Sequence, residues 1–262
     1  MFFFRTLKYL KYLLFARHSK GHGIHSPFVF NLVSGVFRNK IDPGIVLIIE
    51  NIRKKLISDN RIINVLDLGA GSSMKKSSLR KVSDIVKYSA VPAKYGILLS
   101  NLATEFGKPV IVEFGTAMGI STMYLASGCR EAPVYTMEGC PSISKLAGDN
   151  FREAGLYNIR QITGSFDDLL PELRNTATRP GLVFIDGNHR KEPVVRYFIE
   201  MAQISGKDTV IAIDDIHLSN EMENAWTIIK QYESISFTVD LFRMGLVFFR
   251  EGMNHIDYVI RY

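Results

Sequence analysis

The chain has 262 residues, 47% of them hydrophobic and 22% charged, which is long and apolar enough to bury a sizeable core and excludes a disordered chain. Its two cysteines, Cys129 and Cys140, read as ordinary small residues in a reducing compartment and are assigned no redox role. No apolar run approaches a membrane span, and Lys8 and Lys11 interrupt what would be the apolar core of a signal peptide, so the sequence predicts a cytoplasmic protein.

The net charge of +6 is uneven. Residues 1–41 hold Arg5, Lys8, Lys11, Arg17, Lys20, Arg38 and Lys40 and no acid, so they carry +7 and the remainder −1. On a helical projection Phe3, Leu7, Leu10 and Leu14 share one face and Arg5, Lys8 and Lys11 another, the pattern of a basic amphipathic helix. Such a helix could lie on an anionic membrane surface through residues 2–17. The plainer expectation is that its apolar stripe packs on the rest of the protein or on a twin subunit, a homodimer, with the lysines in solvent. Nothing resembles a base-reading module, so nucleic acid is not expected as a partner. His18, His22 and His25 follow, but Gly21 and Gly23 separate them and no cysteine or carboxylate is near, which favours a loop over a metal site. Ser26-Pro27 suits a helix start running through Phe28, Val29, Phe30 and Leu32.

Residues 44–58 read as a further amphipathic helix with basic residues at its end. Ile62 to Gly71 (IINVLDLGAG) ends in a glycine turn that would suit a nucleotide, yet Lys75-Lys76 and helical sequence (Leu79 to Ala90, Ala93 to Phe106) follow it with no second acid-ended strand. Asp67 to Ser72 is therefore expected to be a structural turn, one that could belong to a lid.

The main motif is Pro109 to Thr122, PVIVEFGTAMGIST. Val110, Ile111 and Val112 form an unbroken β-branched run, as in a central parallel strand, which should stop near Glu113. Gly115 and Gly119 remove side chains where backbone must turn tightly beside a ligand, and Ser121 and Thr122 open a helix whose N-terminus faces the same place. Strand and helix then alternate, the signature of a doubly wound sheet. Pro133 to Glu138 is the next strand, with Glu138 nineteen residues past Gly119, near the spacing at which an acid accepts from a ribose. A helix from about Ser142 to Ala154 leads to a strand at Ile159 to Gly164, and Ser165-Phe166-Asp167-Asp168 starts another helix. Leu182 to Asp186 and Thr209 to Asp215 are buried strands ending in carboxylates, and Phe237 to Phe242 and Gly245 to Phe249 form a terminal hairpin joined through Arg243-Met244.

The series VEFGTAMGIST, YTMEG, GSF, FIDGNH, IAIDDIH resembles class I S-adenosylmethionine (SAM)-dependent methyltransferases, and within them the small-molecule O-methyltransferases that use a divalent metal, of the macrocin and catechol types. The first motif departs from acid-x-Gly-x-Gly-x-Gly only at Ala117. The resemblance implies an α/β, doubly wound, Rossmann-like seven-stranded sheet with an antiparallel last strand over residues 107–262, preceded by a mostly helical cap over residues 1–106 that encloses the acceptor. It implies SAM contacts from Glu113, Gly115, Thr116, Ala117, Gly119, Ser121, Thr122, Glu138, Ser165, Phe166 and Asp186, with Glu138 on the ribose and the adenine near Ser165 and Phe166. Glu113 equally suits ordering the loop, and Asp167 and Asp168 suit a helix start. The metal-dependent relatives further imply Mg²⁺ on Asp186, Asp214 and Asp215. Three converging carboxylates would repel one another unless a cation sat among them. Asn188 departs from the macrocin pattern, and the alternative remains open that Asp214 faces the sulfonium and Asp215 caps a helix without metal. The catechol pattern places a basic residue three after the first aspartate, here His189, as proton acceptor with His217 in reserve; His189 could instead cap the helix beginning near Lys191. A nicotinamide dehydrogenase and a non-catalytic SAM-binding module are the competing classes. Gly115 to Gly119 lacks Gly-x-Gly-x-x-Gly spacing, which weighs against the first.

Overall fold

Where the sequence supplies a capping side chain, as at Ser26, Asp42 and Ser219, a helix starts. In the computed structural model, which describes residues 2–18, 21, 23–67, 76–177, 179–253 and 255–262, α1 (Phe2–Phe15) is followed by α2 (Pro27–Ser34), where Ser26 accepts from the Val29 N–H and Pro27 takes the first helical position. A short 3₁₀ turn at Val36–Arg38 precedes α3 (Pro43–Ile57), capped by Asp42 on the Gly44 N–H at 2.8 Å and ending in Lys54 and Lys55. Then come β1 (Ile62–Asp67), β2 (Lys76–Lys81), α4 (Val82–Ser89), α5 (Ala93–Phe106), β3 (Ile111–Phe114), α6 (Ile120–Gly128), β4 (Val134–Glu138), α7 (Pro141–Glu153), β5 (Ile159–Thr163) and α8 (Phe166–Thr176). The chain ends with β6 (Leu182–Ile185), α9 (Lys191–Ile204), β7 (Val210–Ile213), α10 (Asn220–Lys230), β8 (Phe237–Asp240), β9 (Gly245–Phe248) and β10 (Ile256–Val259). Among the described residues no helix is long and apolar enough to cross a membrane.

The architecture is α/β with one large, mostly parallel sheet. Among the described residues that sheet has eight strands where seven were expected. The extra strand, β10, pairs in parallel with β8 from Ile256↔Phe237 to Val259↔Asp240. It was missed because its face is half exposed and carries little apolar pattern.

Contacts group the chain into two compact units, one of residues 40–177 and one of residues 1–39 with 178–262. In the first, β3, β4 and β5 lie side by side in parallel, Ile111 opposite Val134 and Val134 opposite Ile159. Ile111, Val112, Phe114, Val134 and Met137 are fully buried, each contributing roughly 1.5–3 kcal/mol of apolar burial. Helix α5 packs on α6 so closely that a Cβ on Gly96 would sit 2.4 Å from the Tyr124 ring. Tyr124 in turn donates to Glu50 of α3 at 2.9 Å. The segment expected to be helical from Leu79 is strand up to Lys81: β2 pairs antiparallel with β1, Ile62↔Lys81 to Asp67↔Lys76, and the helix begins at Val82. Asp67 closes β1, and the glycine turn after it, residues 68–75, falls outside the described residues, as does His22.

In the other unit the strand order is β10-β8-β9-β7-β6, with β9 antiparallel to both neighbours, so the expected hairpin is present. The N-terminal helix belongs here, and its apolar stripe does not pack on the rest of the chain as one expectation had it. Leu7, Leu10, Leu14 and Phe15 are 53–79% exposed, while Tyr9 and Tyr12 lie 4.9 and 5.3 Å from the Phe242 ring. Tyr12 donates to the Ile260 carbonyl at 2.6 Å, and Arg17 bridges Ile260 through backbone bonds to Val259 and Arg261. Leu7, Leu10 and Leu14 of the apolar stripe thus face outward, and the mixed aromatic and basic face is the docked one.

Candidate active site

In the unit of residues 40–177, β3 delivers Glu113 at 0% exposure, and the chain then turns through Gly115 (φ 102°), Ala117 (φ 44°) and Gly119 (φ 81°) into α6. Three left-handed residues in five make the tight turn expected of a ligand loop; Ala117 adopts that conformation without glycine's freedom. A side chain is barred at Gly119, whose Cβ would lie 2.3 Å from Cε1 of Phe151. Oε2 of Glu113 accepts from Thr122 Oγ1 at 2.5 Å and Thr136 Oγ1 at 2.7 Å, and Thr136 pairs with Thr116 Oγ1 at 2.6 Å. Burial raises the Glu113 pKa to about 7, although the hydroxyls of Ser121, Thr122 and Thr136 draw it down. Among the described residues its Oε1 has no partner of hydrogen-bonding geometry. Glu113 therefore ties strand, loop and helix together through hydroxyls rather than backbone N–H groups, and the side chains of Thr116 and Thr122 are turned inward.

Glu138 ends β4 and remains partly exposed. Its Oε2 accepts from the Ala117 N–H and its Oε1 from the Cys140 N–H, both at 2.9 Å. Burial raises its pKa against the pull of the Cys140, Ala117 and Gly139 N–H groups. The Ala117, Gly139 and Cys140 N–H groups thus fix the carboxylate between the loop and the turn after β4, and of its roughly four acceptor positions at least one remains for a ribose hydroxyl. At the end of β5, Ser165 is the N-cap residue of α8 without a side-chain capping bond, and Phe166 meets Phe114 edge-on at 5.7 Å. Asp167 and Asp168 are exposed in the first turn of α8, where the helix dipole favours them. The loop, Glu138 and an aromatic wall are chemically suited to an adenosyl group.

In the other unit, β6 and β7 bring Asp186, Asp214 and Asp215 to their carboxyl ends, and each acid already faces a cationic or ionisable partner. Asp214, at 0% exposure, receives Arg243 Nε at 3.0 and 3.1 Å and Nη2 at 2.6 Å. Asp215 faces Arg5 of α1 at 3.3 Å and Arg243 at 3.7 Å. Asp186 Oδ1 lies 3.5 Å from His189 Nε2. Burial pushes the Asp214 carboxyl upward against the attraction of Arg243. Burial lowers the guanidinium, but the charge of Asp214, a hydrogen bond to it and the charges of Asp215 and Asp186 raise it above its ordinary value. Of the expected Mg²⁺ ligands, Asp214 and Asp215 are therefore engaged by guanidinium groups and Asp186 by His189, and the arrangement does not fit a resident divalent ion. Among the described residues no three His, Cys, Asp or Glu side chains are placed to hold a metal. Nor does Asp215 cap a helix: Ser219 caps α10 with its hydroxyl on the Met222 N–H at 3.2 Å.

His189 does not cap α9 either, since Arg190 holds that position. It is 36% exposed and strained, with φ 24°, beside Asn188 at φ 66°, whose amide donates to Tyr197 Oη at 2.7 Å. Consecutive left-handed non-glycine residues persist where surrounding structure holds them, and they concentrate at functional sites. His217, by contrast, is not fit to serve as a reserve base. Its Nδ1 lies 2.9 Å from Glu223 and its Nε2 2.8 Å from Asp240, so both nitrogens face carboxylates. Burial lowers its pKa, but the hydrogen bonds and charges of Asp240 and Glu223 outweigh that and raise it above 6.5. A proton held this firmly is not available to cycle. Because the folded pKa lies above the unfolded one, the clamp's stabilisation is complete below pH 6.5 and is lost as pH rises through the folded value. Denaturant titrations from pH 6 to 9 should show His217→Phe losing about 2 kcal/mol at the acid end and the difference from wild type shrinking toward pH 9; a pH-independent difference would contradict the clamp.

Arg243, Arg5, Thr136, Glu223 and Asp240 were not singled out as site residues from sequence. Arg243 sits in a hairpin turn with no motif around it. The one usable signal was physical: three buried-strand carboxylates require positive charge, and a nearby arginine is a candidate to supply it.

An acid-ended strand, a left-handed glycine loop and a mostly parallel sheet with an antiparallel end define the class I methyltransferase fold, and residues 112–216 match the methyltransferase-domain family. A Mycolicibacterium smegmatis protein inferred to be an O-methyltransferase is 33% identical over 120 residues, 45% of this chain and 56% of that one. The catechol O-methyltransferase of Mycobacterium tuberculosis is 32% identical over 129 residues, 48% of this chain and 57% of that one. The O-methyltransferase from Bacillus cereus, solved in complex with S-adenosylhomocysteine, superposes with a TM-score of 0.57 at 20% identity, covering 84% of this chain and 97% of that one, a likeness of fold. The chain spans about half the length of the curated relatives it matches.

Proposed function

We propose that the protein transfers a methyl group from SAM to a hydroxyl oxygen of a small molecule. The observation that carries this reading is Glu138, a partly exposed carboxylate fixed by the Ala117 N–H to a loop with three left-handed residues. Gly115, Ala117 and Gly119 would present backbone to the cofactor, Glu138 would accept from the ribose hydroxyls, and Phe166 would flank the adenine. Bound SAM would supply a methyl group activated by the sulfonium, so the protein need only align an acceptor oxygen, take its proton and hold off water. His189 would take that proton on a ring nitrogen, with Asp186 orienting the ring and stabilising the imidazolium. The resemblance to catechol-type enzymes supports a hydroxylated acceptor.

Titration calorimetry tests the cofactor reading. Wild type should bind SAM, and Glu138→Ala should weaken it by roughly one to two decades through loss of charge-assisted hydrogen bonds, worth about 1.5–3 kcal/mol. Thermal melts establish that the variant is folded. Unchanged SAM affinity in the folded variant, or wild type taking up NAD instead, would remove the basis of the proposal.

A further inference from the structure

The carboxylates at the ends of β6 and β7 are balanced without any added ion: Arg243 on Asp214, Arg5 on Asp215 and His189 beside Asp186. The Arg243 contact is a two-pronged fork, Nε and Nη2 on both oxygens of a side chain at 0% exposure. A Mg²⁺ ion there would have to displace that fork, keep the waters it sheds reluctantly, and find near-octahedral oxygen ligands at about 2.0–2.1 Å beside a guanidinium that repels it. Asp214 is fully buried and both of its oxygens are engaged by Arg243, so a hydrated ion would have to take them from the guanidinium.

We propose that Arg243 is the resident cation of this carboxylate group, so that the protein binds no divalent metal at Asp186, Asp214 and Asp215, and an acceptor oxygen entering there meets a guanidinium. The bonds to Asp214 use Nε and Nη2, which leaves the Nη1 edge of a side chain 18% exposed to receive that oxygen. A guanidinium keeps its charge throughout the physiological pH range and cannot be removed by a chelator. The part of the proposal that concerns the acceptor rests on the methyltransferase reading; the part that concerns the metal does not, and the test below needs neither SAM nor acceptor.

The experiment is a Mn²⁺ titration of the full chain, followed by electron paramagnetic resonance and by thermal melting, on wild type, Arg243→Met and Arg243→Lys. Wild type should take up no stoichiometric Mn²⁺ and show no change in melting temperature at millimolar Mn²⁺. Arg243→Met leaves Asp214 without its guanidinium and Asp215 with Arg5 alone, and should gain one site, its melting temperature rising by about 5 °C or more when Mn²⁺ exceeds the new dissociation constant a hundredfold. Adding Asp215→Asn should abolish that gain. Stoichiometric Mn²⁺ on wild type, or a folded Arg243→Met that gains no site, overturns the proposal. If Arg243→Met does not fold even with Mn²⁺, Arg243→Lys decides: it keeps a cation in place and should bind no Mn²⁺, and uptake by this variant would likewise overturn it.

Discussion

His189→Ala is expected to lower turnover by roughly 10²–10⁴-fold, the usual contribution of a positioned general base, while leaving SAM affinity unchanged. The ring's Nε2 lies 3.5 Å from Asp186 Oδ1, longer than a good hydrogen bond, but catalytic pairs are commonly loose before substrate arrives. What holds the ring is its backbone, with Asn188 and His189 both left-handed and Asn188 secured by Tyr197. Carrying that strain at a strand's carboxyl end, beside an acid, is more than a connecting turn requires. The measurement is kcat with a hydroxylated acceptor found by a methyl-donor screen, alongside calorimetry for SAM. Full turnover by the variant at neutral pH would transfer the role to another residue, and His217 would not be that residue, because both of its nitrogens are held by carboxylates.

Gly119→Ala should cost about 2–5 kcal/mol of stability and weaken SAM binding with it. Two separable effects combine. An alanine at φ 81° pays about 1–2 kcal/mol for the left-handed conformation, and its Cβ, 2.3 Å from the Phe151 ring, forces a core shift worth about 1–3 kcal/mol. Phe151→Leu in the same chain should return part of the clash and none of the backbone cost, so the double-mutant cycle by urea unfolding distinguishes them. Because Gly119 is also the N-cap of α6, any shift there moves the helix N-terminus that the loop presents. A loss below about 1 kcal/mol would mean the loop relaxes more freely than its packing on Phe151 implies.

The glycine loop, the strand ends at Glu113, Glu138, Asp186 and Asp214, and the terminal hairpin were legible because each is written locally. A β-branched run buried on both faces, an acid, and glycine at left-handed positions constrain the chain whatever lies elsewhere. Strand β2 was not legible. Its one apolar residue, Leu79, is 75% exposed, so its sequence carries no apolar alternation to impose a period of two; pairing with β1 makes it a strand.

Helix α1 shows the same division. Its sequence determined that it would be an amphipathic helix with one apolar and one basic face, since periodicity depends only on side-chain spacing along 3.6 residues per turn. Which face docks was decided by Phe242, Asp215 and Glu223, more than 200 residues away, which offer Tyr9, Tyr12, Arg5 and Lys8 a ring and two carboxylates. The site divides likewise. Sequence placed three aspartates at neighbouring strand ends and required positive charge among them. That the charge is the guanidinium of Arg243 follows only from the antiparallel hairpin that turns it back onto Asp214, because a charge pairs with whatever folding brings within a few ångströms, and no spacing along the chain records that.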